Sequence, residues 1–297
     1  MSESTGVAGV SPYQSPQESV GVVRLRLELL QALVMRELRT RYRGSYLGWV
    51  WALARPLVML FIYGLIVGVF LGAARSIPDF MLFIFVGLIA WNLFTAVVTG
   101  CINSVTSSSS LIAKVKFPRI LLPLASVVVA LVDTLIQGVV LVIGFVIVGD
   151  WPSFSSLAYL PPALGVVLLF GLAAGLLLSA INVYVRDVGF LTDIALQVGF
   201  WLCPILYSYG FVVDAAQGYG LSTEWVTRLY LLNPMADAVL GFQRALWPPG
   251  STPEGAALSF PGELGLRLGV LLAIGLLLLA VTARIFSRLS RNFAQEL

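Results

Sequence analysis

The sequence contains no histidine and only two cysteines, Cys101 and Cys203. Without histidine we expect neither a zinc nor a haem site built from protein ligands. A nucleophile–histidine–acid catalytic set is excluded, although lysine or carboxylate versions stay open. Both cysteines lie in apolar segments, so we expect no disulfide framework. A phosphate-binding loop of the form G-x-x-x-x-G-K-[ST] is also missing, so we expect this chain to bind no ATP, no metal and no cofactor of its own.

Charged residues are scarce as well. They make up 11% of the 297 residues, while hydrophobic residues make up 59%; a soluble protein has closer to about 25% charged residues. This composition predicts an integral membrane protein with several spans. Residues 1–20 are rich in serine, glycine, proline and glutamine and contain no apolar run. We therefore expect a disordered cytoplasmic tail there and no cleavable signal peptide.

Long hydrophobic runs are abundant. Six segments reach the length of roughly 20 residues that a membrane-spanning helix needs. They cover about 49–72, 80–102, 119–148, 160–184, 190–208 and 264–286. They predict an all-α domain of six transmembrane helices over residues 47–287, followed by a cytoplasmic tail over 288–297. Two pairs of glycines four residues apart predict close packing between helices: Gly64 with Gly68, and Gly171 with Gly175.

The positive charges predict the topology of these spans. An arginine cluster directly precedes the first span, and positive charge next to a span is retained in the cytoplasm. With the N-terminus inside, most of the 18 lysines and arginines fall on the cytoplasmic face. The exceptions are Arg75, Arg228, Arg244 and Arg267. We therefore expect both termini to be cytoplasmic. Because the basic residues follow this membrane rule, we expect no nucleic-acid partner.

Residues 21–46 have the pattern of an amphipathic helix. Apolar residues recur at helical spacing, and arginines gather on the opposite face. The apolar positions are Val23, Leu27, Leu30, Val34 and Leu38, and the basic ones are Arg36, Arg39 and Arg43. The pattern predicts a helix that lies in the cytoplasmic membrane interface with its apolar face down. The alternative is a helix packed against the cytoplasmic side of the protein itself.

The cytoplasmic loop 104–118 predicts a short helix of its own. Its serine run supplies helix N-caps, and Pro118 ends the turn. Leu111, Ile112 and Val115 form one apolar strip, with Lys114 and Lys116 beside it. We expect this helix to present apolar and basic groups to a cytoplasmic partner. The alternative is a helix that lies on the lipid surface.

The external segment 209–262 contains two stretches with helical patterning, 225–230 and 235–242, on either side of Asn233 and Pro234. Two short helices that re-enter the edge of the bilayer would bury these apolar groups, provided that protein covers the irregular backbone. A small external cap packed on itself explains the spacing equally well.

Polar and aromatic residues inside the spans are candidates for a transport path. Asp133 and Gln137 lie four residues apart and share a helix face. A carboxylate near mid-bilayer is costly and suggests function; the alternative is a structural hydrogen bond to a neighbouring helix or a second subunit. Trp91 and Phe94 belong to an aromatic-rich second span. Such rings usually pack or face lipid, but their flat faces also suit sugar rings.

Four motifs, in order over residues 24–247, carry a resemblance to a known family. Each motif pairs two short stretches of sequence. They are Arg36–Gly48 with Trp51 and Arg55–Leu57; Leu111–Arg119 with Leu122–Leu124; Val185–Val188 with Cys203–Tyr207; and Leu232–Met235 with Phe242–Arg244. The chain resembles the membrane permease of type-2 ABC exporters that move polysaccharides such as O-antigen and teichoic acid. It looks most similar to permeases for lipid-linked galactan in mycobacteria and other actinobacteria.

The resemblance implies an architecture and a set of partners. It implies a homodimer of six-helix halves in the bacterial plasma membrane, with two copies of an ATP-binding subunit that holds ATP and Mg. It implies that loop 104–118 is the coupling helix and that the amphipathic helix is a gate where a lipid-pyrophosphate carrier enters. It favours re-entrant helices over 209–247. The coupling residues would be Leu111, Ile112, Lys114, Val115, Lys116 and Phe117, and the re-entrant region would include Asn233, Pro234 and Arg244.

The same resemblance implies a function in cell-wall biogenesis: export of a lipid-linked polysaccharide, with no catalysis by this chain. Arg39, Arg41 and Arg43 are candidates for binding the pyrophosphate, because guanidinium groups bind such anions in a forked geometry; alternatively they only hold the interface and the topology. Three other functions stay open. They are an ABC permease for a drug or small lipid, an ion-driven flippase or secondary transporter, and a scaffold for an envelope enzyme complex. An ion-driven transporter would require paired ionisable groups near mid-bilayer and internal sequence repeats.

Overall fold

The computed structural model describes residues 16–42, 50–75, 77–114, 117–247 and 260–293. These residues form helices and turns, with no strand among them. The helices are α1 (Pro16–Tyr42), α2 (Val50–Tyr63), α3 (Phe80–Thr106), α4 (Ser109–Lys114), α5 (Leu121–Val148), α6 (Leu160–Tyr184), α7 (Asp187–Trp201), α8 (Tyr209–Gly218), α9 (Thr223–Tyr230), α10 (Pro234–Leu246) and α11 (Leu264–Leu289). Helix α2 continues as a π-helix over Gly64–Phe70.

Within the described ranges, five helical segments are long and apolar enough to cross a membrane. They are Leu53–Phe70, Phe80–Thr106, Leu121–Val148, Ser156–Tyr184 and Leu264–Asn292. They correspond to the predicted first, second, third, fourth and sixth spans. The predicted fifth span, 190–208, differs, because α7 has only 15 residues and ends at Trp201. Such a helix is about 22 Å long, which is short against a hydrocarbon core of about 30 Å.

The early end of α7 has a local cause. Pro204 supplies no backbone N–H to continue a helix. The last carbonyls of α7 accept from the backbone N–H groups of Leu202 and Cys203 and from the Tyr207 hydroxyl. In the turn that follows, the Gln243 amide of α10 donates to the Pro204 carbonyl at 2.7 Å, and the Asn233 amide donates to the Leu202 carbonyl at 3.3 Å. The helix therefore ends in a local turn that side chains from distant residues hold in place.

Helix α3 is the centre of the fold and is buried over most of its length. Helices α5 and α6 flank it. The four glycines of the two predicted pairs lie where neighbouring helices approach each other closely. A Cβ at Gly175 of α6 would lie 2.7 Å from the Cβ of Cys101 on α3, and one at Gly68 would lie 2.8 Å from a ring carbon of Phe80. The same holds for Gly171 against Val97 and for Gly64 against Met81. The close packing expected from both glycine pairs is confirmed.

Two buried clusters lie toward opposite ends of α3. The larger one includes Phe83, Val167, Leu240 and Leu268 and joins α3, α6, α10 and α11; we call this the α10 end. The smaller one includes Val105, Ile112, Val183 and Phe286 and joins the other ends of α3, α6 and α11 to α4; we call this the α4 end. The large cluster extends along α3 from Phe80 to Cys101, and the small cluster begins one turn later at Val105.

Helical structure extends into both of the predicted tails. Helix α1 begins at Pro16, so residues 16–20 belong to the helix and not to the predicted tail; proline is favoured at the first position of a helix. At the other terminus, residues 290–292 form a 3₁₀ turn and Phe293 is fully buried in the small cluster. The predicted tail 288–297 is therefore ordered through Phe293.

The described part of α1 packs on the protein. Leu33 contacts the small cluster, and α1 lies along α5. Leu27, in contrast, is 60% exposed. Residues 21–46 were expected either to lie in the membrane interface or to pack against the protein. The second half of α1 packs against the protein. Contact with the lipid interface stays a prediction for the first half, and residues 43–46 lie outside the described part of the chain.

Candidate functional site

Four helices, α2, α3, α5 and α7, enclose a cleft of about 1040 Å³. It combines flat aromatic rings with amide, hydroxyl and carboxylate groups. Its lining includes Arg55, Tyr63, Trp91, Asn92, Thr95, Thr99, Asp133, Thr134, Gln137, Asp193, Gln197, Phe200 and Trp201. Rings that can stack and groups that can exchange hydrogen bonds are the surface that a sugar chain requires. The cleft is therefore the candidate translocation path.

The polar wall of the cleft is held in place by hydrogen bonds between α3 and α5. The Asn92 amide donates to the Gln137 carbonyl oxygen at 3.1 Å, and the Gln137 amide donates to the Asp133 backbone carbonyl at 3.4 Å. Gln137 is only 5% exposed and bonds α3 to α5, while the choice between a functional and a structural role for Asp133 stays a prediction. The Asp133 carboxylate is partly buried and lines the cleft.

The aromatic wall is a connected series of rings. Tyr63 of α2 stacks on Phe200 of α7 at 5.7 Å between ring centres, and Phe200 meets Trp91 of α3 edge to face at 6.2 Å. Trp201 follows Phe200 at 5.7 Å. Phe94 is 5.5 Å from Trp91, but it is absent from the lining and contacts Gly171 of α6. Of the two predicted aromatic residues, Trp91 thus lines the cleft and Phe94 packs behind it.

Sequence reasoning did not single out Asn92, Phe200 or Gln197. A polar residue directly after Trp91 in an apolar span was an available signal for Asn92. Gln197 carried the same signal within the predicted span 190–208, whereas Phe200 carried none, because its role depends on which face of α7 turns toward α3. That orientation is a tertiary property that no spacing within α7 specifies.

The predicted coupling residues divide into an anchored group and an accessible group. Ile112 is 5% exposed and belongs to the small buried cluster, where Phe117 also packs. Leu111 is partly exposed and Lys114 is exposed. Val115 and Lys116 lie outside the described residues. Ile112 therefore anchors α4 to the protein, and the accessible surface of α4 contains Leu111 and Lys114.

Helix α1 is bonded directly to this region. The Arg36 guanidinium donates to the Ser108 hydroxyl at 2.7 Å, just before α4 begins. The Ser126 hydroxyl of α5 donates to the Glu37 carboxylate, 3.2 Å from each oxygen. Arg39 is exposed; the Arg41 side chain and all of Arg43 lie outside the description. The described contacts tie α1 to the start of α4 and to the start of α5.

At the α10 end, an ion pair fixes the short helices. The Arg267 guanidinium of α11 donates to both oxygens of Asp237 on α10, at 3.0 and 3.1 Å, and also to the Leu231 carbonyl at the end of α9. The Asp237 side chain is 1% exposed. Burial raises the pKa of this carboxyl, while the Arg267 guanidinium acts in the opposite direction. One arginine thus joins α9, α10 and α11.

The predicted residues of the re-entrant region also lie at this end. Asn233 caps α10, since its side-chain oxygen accepts from the Met235 N–H at 3.0 Å, and Pro234 is the first helical residue. The Arg244 guanidinium lies over two rings, 5.2 Å from the centre of Phe260 and 6.0 Å from that of Tyr159. Helix α10 is buried between α3, α6 and α11. This packing is what a re-entrant helix requires.

The sequence pattern of the ABC-2 type transporters matches residues 28–246. The chain belongs to the ABC-2 type transporter family. The match runs from α1 to the end of α10, so it includes the cleft, α4 and the short helices α8, α9 and α10. The family that the four motifs pointed to is confirmed, and the protein is a multi-pass membrane protein.

Relatives of this ABC-2 transporter chain are named for polysaccharide export. The O-antigen export system permease protein RfbA of Myxococcus xanthus is 29% identical over 269 residues, covering 91% of this chain and 95% of the relative. RfbA of Klebsiella pneumoniae is 27% identical over 271 residues, with the same coverage. The polysialic acid transport protein KpsM of Escherichia coli is 24% identical over 241 residues, covering 78% of this chain and 85% of the relative.

Proposed function

We propose that this chain is the transmembrane permease subunit of an ATP-driven exporter that moves a lipid-linked polysaccharide out of the bacterial cytoplasm. The cleft between α2, α3, α5 and α7 is the observation that carries the proposal. Its aromatic series, Tyr63, Phe200 and Trp91, faces a polar wall that contains Asn92 and Asp133. Relatives named as O-antigen and polysialic acid transport proteins support a polysaccharide as the substrate. A galactan is the sugar that we favour.

The active transporter in this proposal contains two copies of the chain and two copies of an ATP-binding subunit. ATP and Mg bind to that subunit, and this chain performs no catalysis. Both termini and α4 face the cytoplasm. Leu111 and Lys114, the accessible residues of α4, contact the ATP-binding subunit, with Val115 and Lys116 beside them. Ile112 and Phe117 transmit the movement to the small buried cluster, because they are part of it.

Movement at α4 also reaches α1 in this proposal. The bond between Arg36 and Ser108 makes α1 follow the start of α4. Arg39, Arg41 and Arg43 are on the second half of α1 or just after it, and we propose that they draw the pyrophosphate of the carrier toward the path. Arg41→Ala is expected to reduce export without reducing assembly of the transporter. Unchanged export would reject this role for Arg41.

The export function is tested by depleting the chain in the bacterium that encodes it. We expect surface polysaccharide to fall while lipid-linked polysaccharide accumulates in the cytoplasmic leaflet. A wild-type copy restores export, and Trp91→Ala restores it only in part because the central ring of the path is lost. Phe211→Ala is the matched control, since this exposed aromatic residue lies on α8 and outside the cleft. Normal surface polysaccharide after depletion would reject the function.

A further inference from the structure

We propose that a second, smaller pocket next to the cleft binds a phosphate or diphosphate group carried on a membrane lipid. This inference rests on the proposed export function and names a site for the head group of its substrate. The pocket has a volume of about 240 Å³ and lies between α3, the end of α6 and the start of α7. Its polar lining contains Thr99, Asn103, Asn182, Arg186, Gly189 and Asp193.

Asn182 supplies a hydrogen-bond donor whose direction is fixed. The Gly189 N–H donates to the Asn182 side chain at 3.1 Å, so the atom that receives this bond must be the carbonyl oxygen Oδ1. The amide nitrogen Nδ2 is therefore the other atom, and no acceptor bonds it among the described residues. Asn182 is only 7% exposed, yet it lines the pocket. Because Nδ2 is not one of the enclosed atoms that lack a partner, it is open to the pocket, where an acceptor on a ligand can receive its hydrogen bond.

Arg186 supplies the positive charge. It is exposed and directly precedes α7, and within the described ranges it forms no ion pair. The N-terminus of α7 does not add to these donors, because Asp187 occupies its first turn and the Gly189 N–H already donates to Asn182. Asn103 adds a second amide. A guanidinium and two amides are donors that bind phosphate oxygens.

The carboxylate of Asp193 also lines the pocket and would repel an anion placed beside it. Asp193 follows Arg186 by seven residues of α7, which is roughly 10 Å along a helix. Thr99 and Asp193 line both the pocket and the large cleft. The acidic group thus lies on the side where the two spaces join, and the anion binds on the side of Arg186. A group attached to the anion would extend into the cleft.

The surroundings of the pocket favour a lipid-borne anion over a free one. Ile102 and Phe190 also line the pocket, and Phe190 is 73% exposed. On the same outer face of α7, Leu191 and Ile194 are exposed. This apolar surface, directly beside the phosphate donors, fits the hydrocarbon chain of a lipid whose head group occupies the pocket.

The test uses the full chain in nanodiscs and measures binding of radiolabelled inorganic pyrophosphate. Arg186→Gln removes the charge. Asn182→Asp keeps the oxygen that accepts from Gly189 and replaces only the Nδ2 donor with an anionic oxygen. We expect each variant to weaken binding by about tenfold or more, since charge-assisted bonds to phosphate are lost. Arg186→Lys keeps the positive charge but loses the forked pair of guanidinium donors, so its affinity for pyrophosphate should lie between those of the wild type and Arg186→Gln.

Arg288→Gln is the matched control, because it removes an exposed arginine from the end of α11 that does not line the pocket. It should bind pyrophosphate like the wild type. Size exclusion and thermal unfolding verify that each variant is folded. Wild-type binding by both Arg186→Gln and Asn182→Asp would overturn the site.

A second arm identifies the source of the anion. Nanodiscs that contain a polyprenyl diphosphate should compete with labelled pyrophosphate, whereas nanodiscs with the matching polyprenol should not. Competition by free pyrophosphate alone, with none from the lipid, would overturn the lipid-borne ligand. Arg186→Gln should still co-purify with an ATP-binding subunit. If the wild type captures no such subunit, the export function fails, independently of the binding result.

Discussion

The α10 end and the α4 end of this protein hold their polar groups in different ways. At the α10 end, one buried carboxylate receives two charged hydrogen bonds from Arg267, and buried side chains bond the backbone at Pro204 and Pro78. At the α4 end, α1 is held through two serine hydroxyls, Ser108 and Ser126, near a six-residue helix. The first arrangement is stable only in one geometry. The second can be made and broken at low cost.

This difference suggests that the two ends have different roles in movement. Breaking a buried charged pair costs about 3–5 kcal/mol, whereas a hydrogen bond between a hydroxyl and a charged group contributes about 1.5–3 kcal/mol. The α10 end is therefore suited to stay closed while the α4 end moves. In the proposed exporter, movement starts at α4, where the ATP-binding subunit docks.

The largest effect is expected from Asp237→Ala, which leaves the Arg267 guanidinium without its acid in a mostly buried site. We expect the variant to lose roughly 3 kcal/mol of stability and to lose the packing of α10. Thermal unfolding in detergent measures the loss. Asp214→Ala, on the exposed surface of α8, is the control and should be neutral. A wild-type melting temperature for Asp237→Ala would contradict the idea of a rigid α10 end.

A second large effect is expected where α6 crosses α3. Gly175→Ala places a Cβ 2.7 Å from the Cβ of Cys101, and overpacking of this kind costs about 1–3 kcal/mol. The matched control is Gly138→Ala in α5, where a Cβ meets nothing within 4 Å. That change should be neutral or slightly stabilising, because alanine favours a helix. Equal unfolding temperatures for the two variants would argue against close contact between α3 and α6.

The α4 end should respond in function more than in stability. Arg36→Gln and Ser108→Ala each remove the same bond, so each is expected to cost at most about 1.5–3 kcal/mol and to lower export at an unchanged rate of ATP hydrolysis. The double variant should be no worse than either single one, because partners in one interaction are not additive. Arg26→Gln, exposed on the same helix, controls for lost charge. Additive losses would show that Arg36 and Ser108 act separately.

The contrast between the two ends also explains what the sequence predicts and what it does not. Apolar length predicts six spans, and five of them are long enough to cross a membrane in the described residues. The spacing of Gly171 and Gly175 predicts close packing but not that the partner is α3. The early end of α7 was missed although Pro204 is a local signal for it, and the bonds from Gln243 and Asn233 that hold the following turn come from residues distant in sequence. The charge pattern placed Arg267 on the external face but gave no indication that it pairs with Asp237, thirty residues away in the chain.

The residues that line the cleft were also predicted only in part from the sequence. Trp91, Asp133 and Gln137 were identified from their residue types and positions, and all three line the cleft. Phe94, only three residues from Trp91, turns toward Gly171 instead. Neighbouring positions on one helix face different partners, and the choice between them is made by how α3, α6 and α7 pack together. That information is tertiary.

The most direct test of the proposed coupling is a capture of this chain from detergent-solubilised native membranes, followed by identification of co-purifying proteins and an assay of ATP hydrolysis. Three forms are compared: the wild type, Leu111→Glu in the accessible surface of α4, and Leu221→Glu, an exposed leucine in the turn between α8 and α9. We expect an ATP-binding subunit to co-purify with the wild type and with Leu221→Glu, and to be lost with Leu111→Glu. An ATP-binding subunit that is absent from the wild type, or that remains bound to Leu111→Glu, would contradict the coupling role of α4.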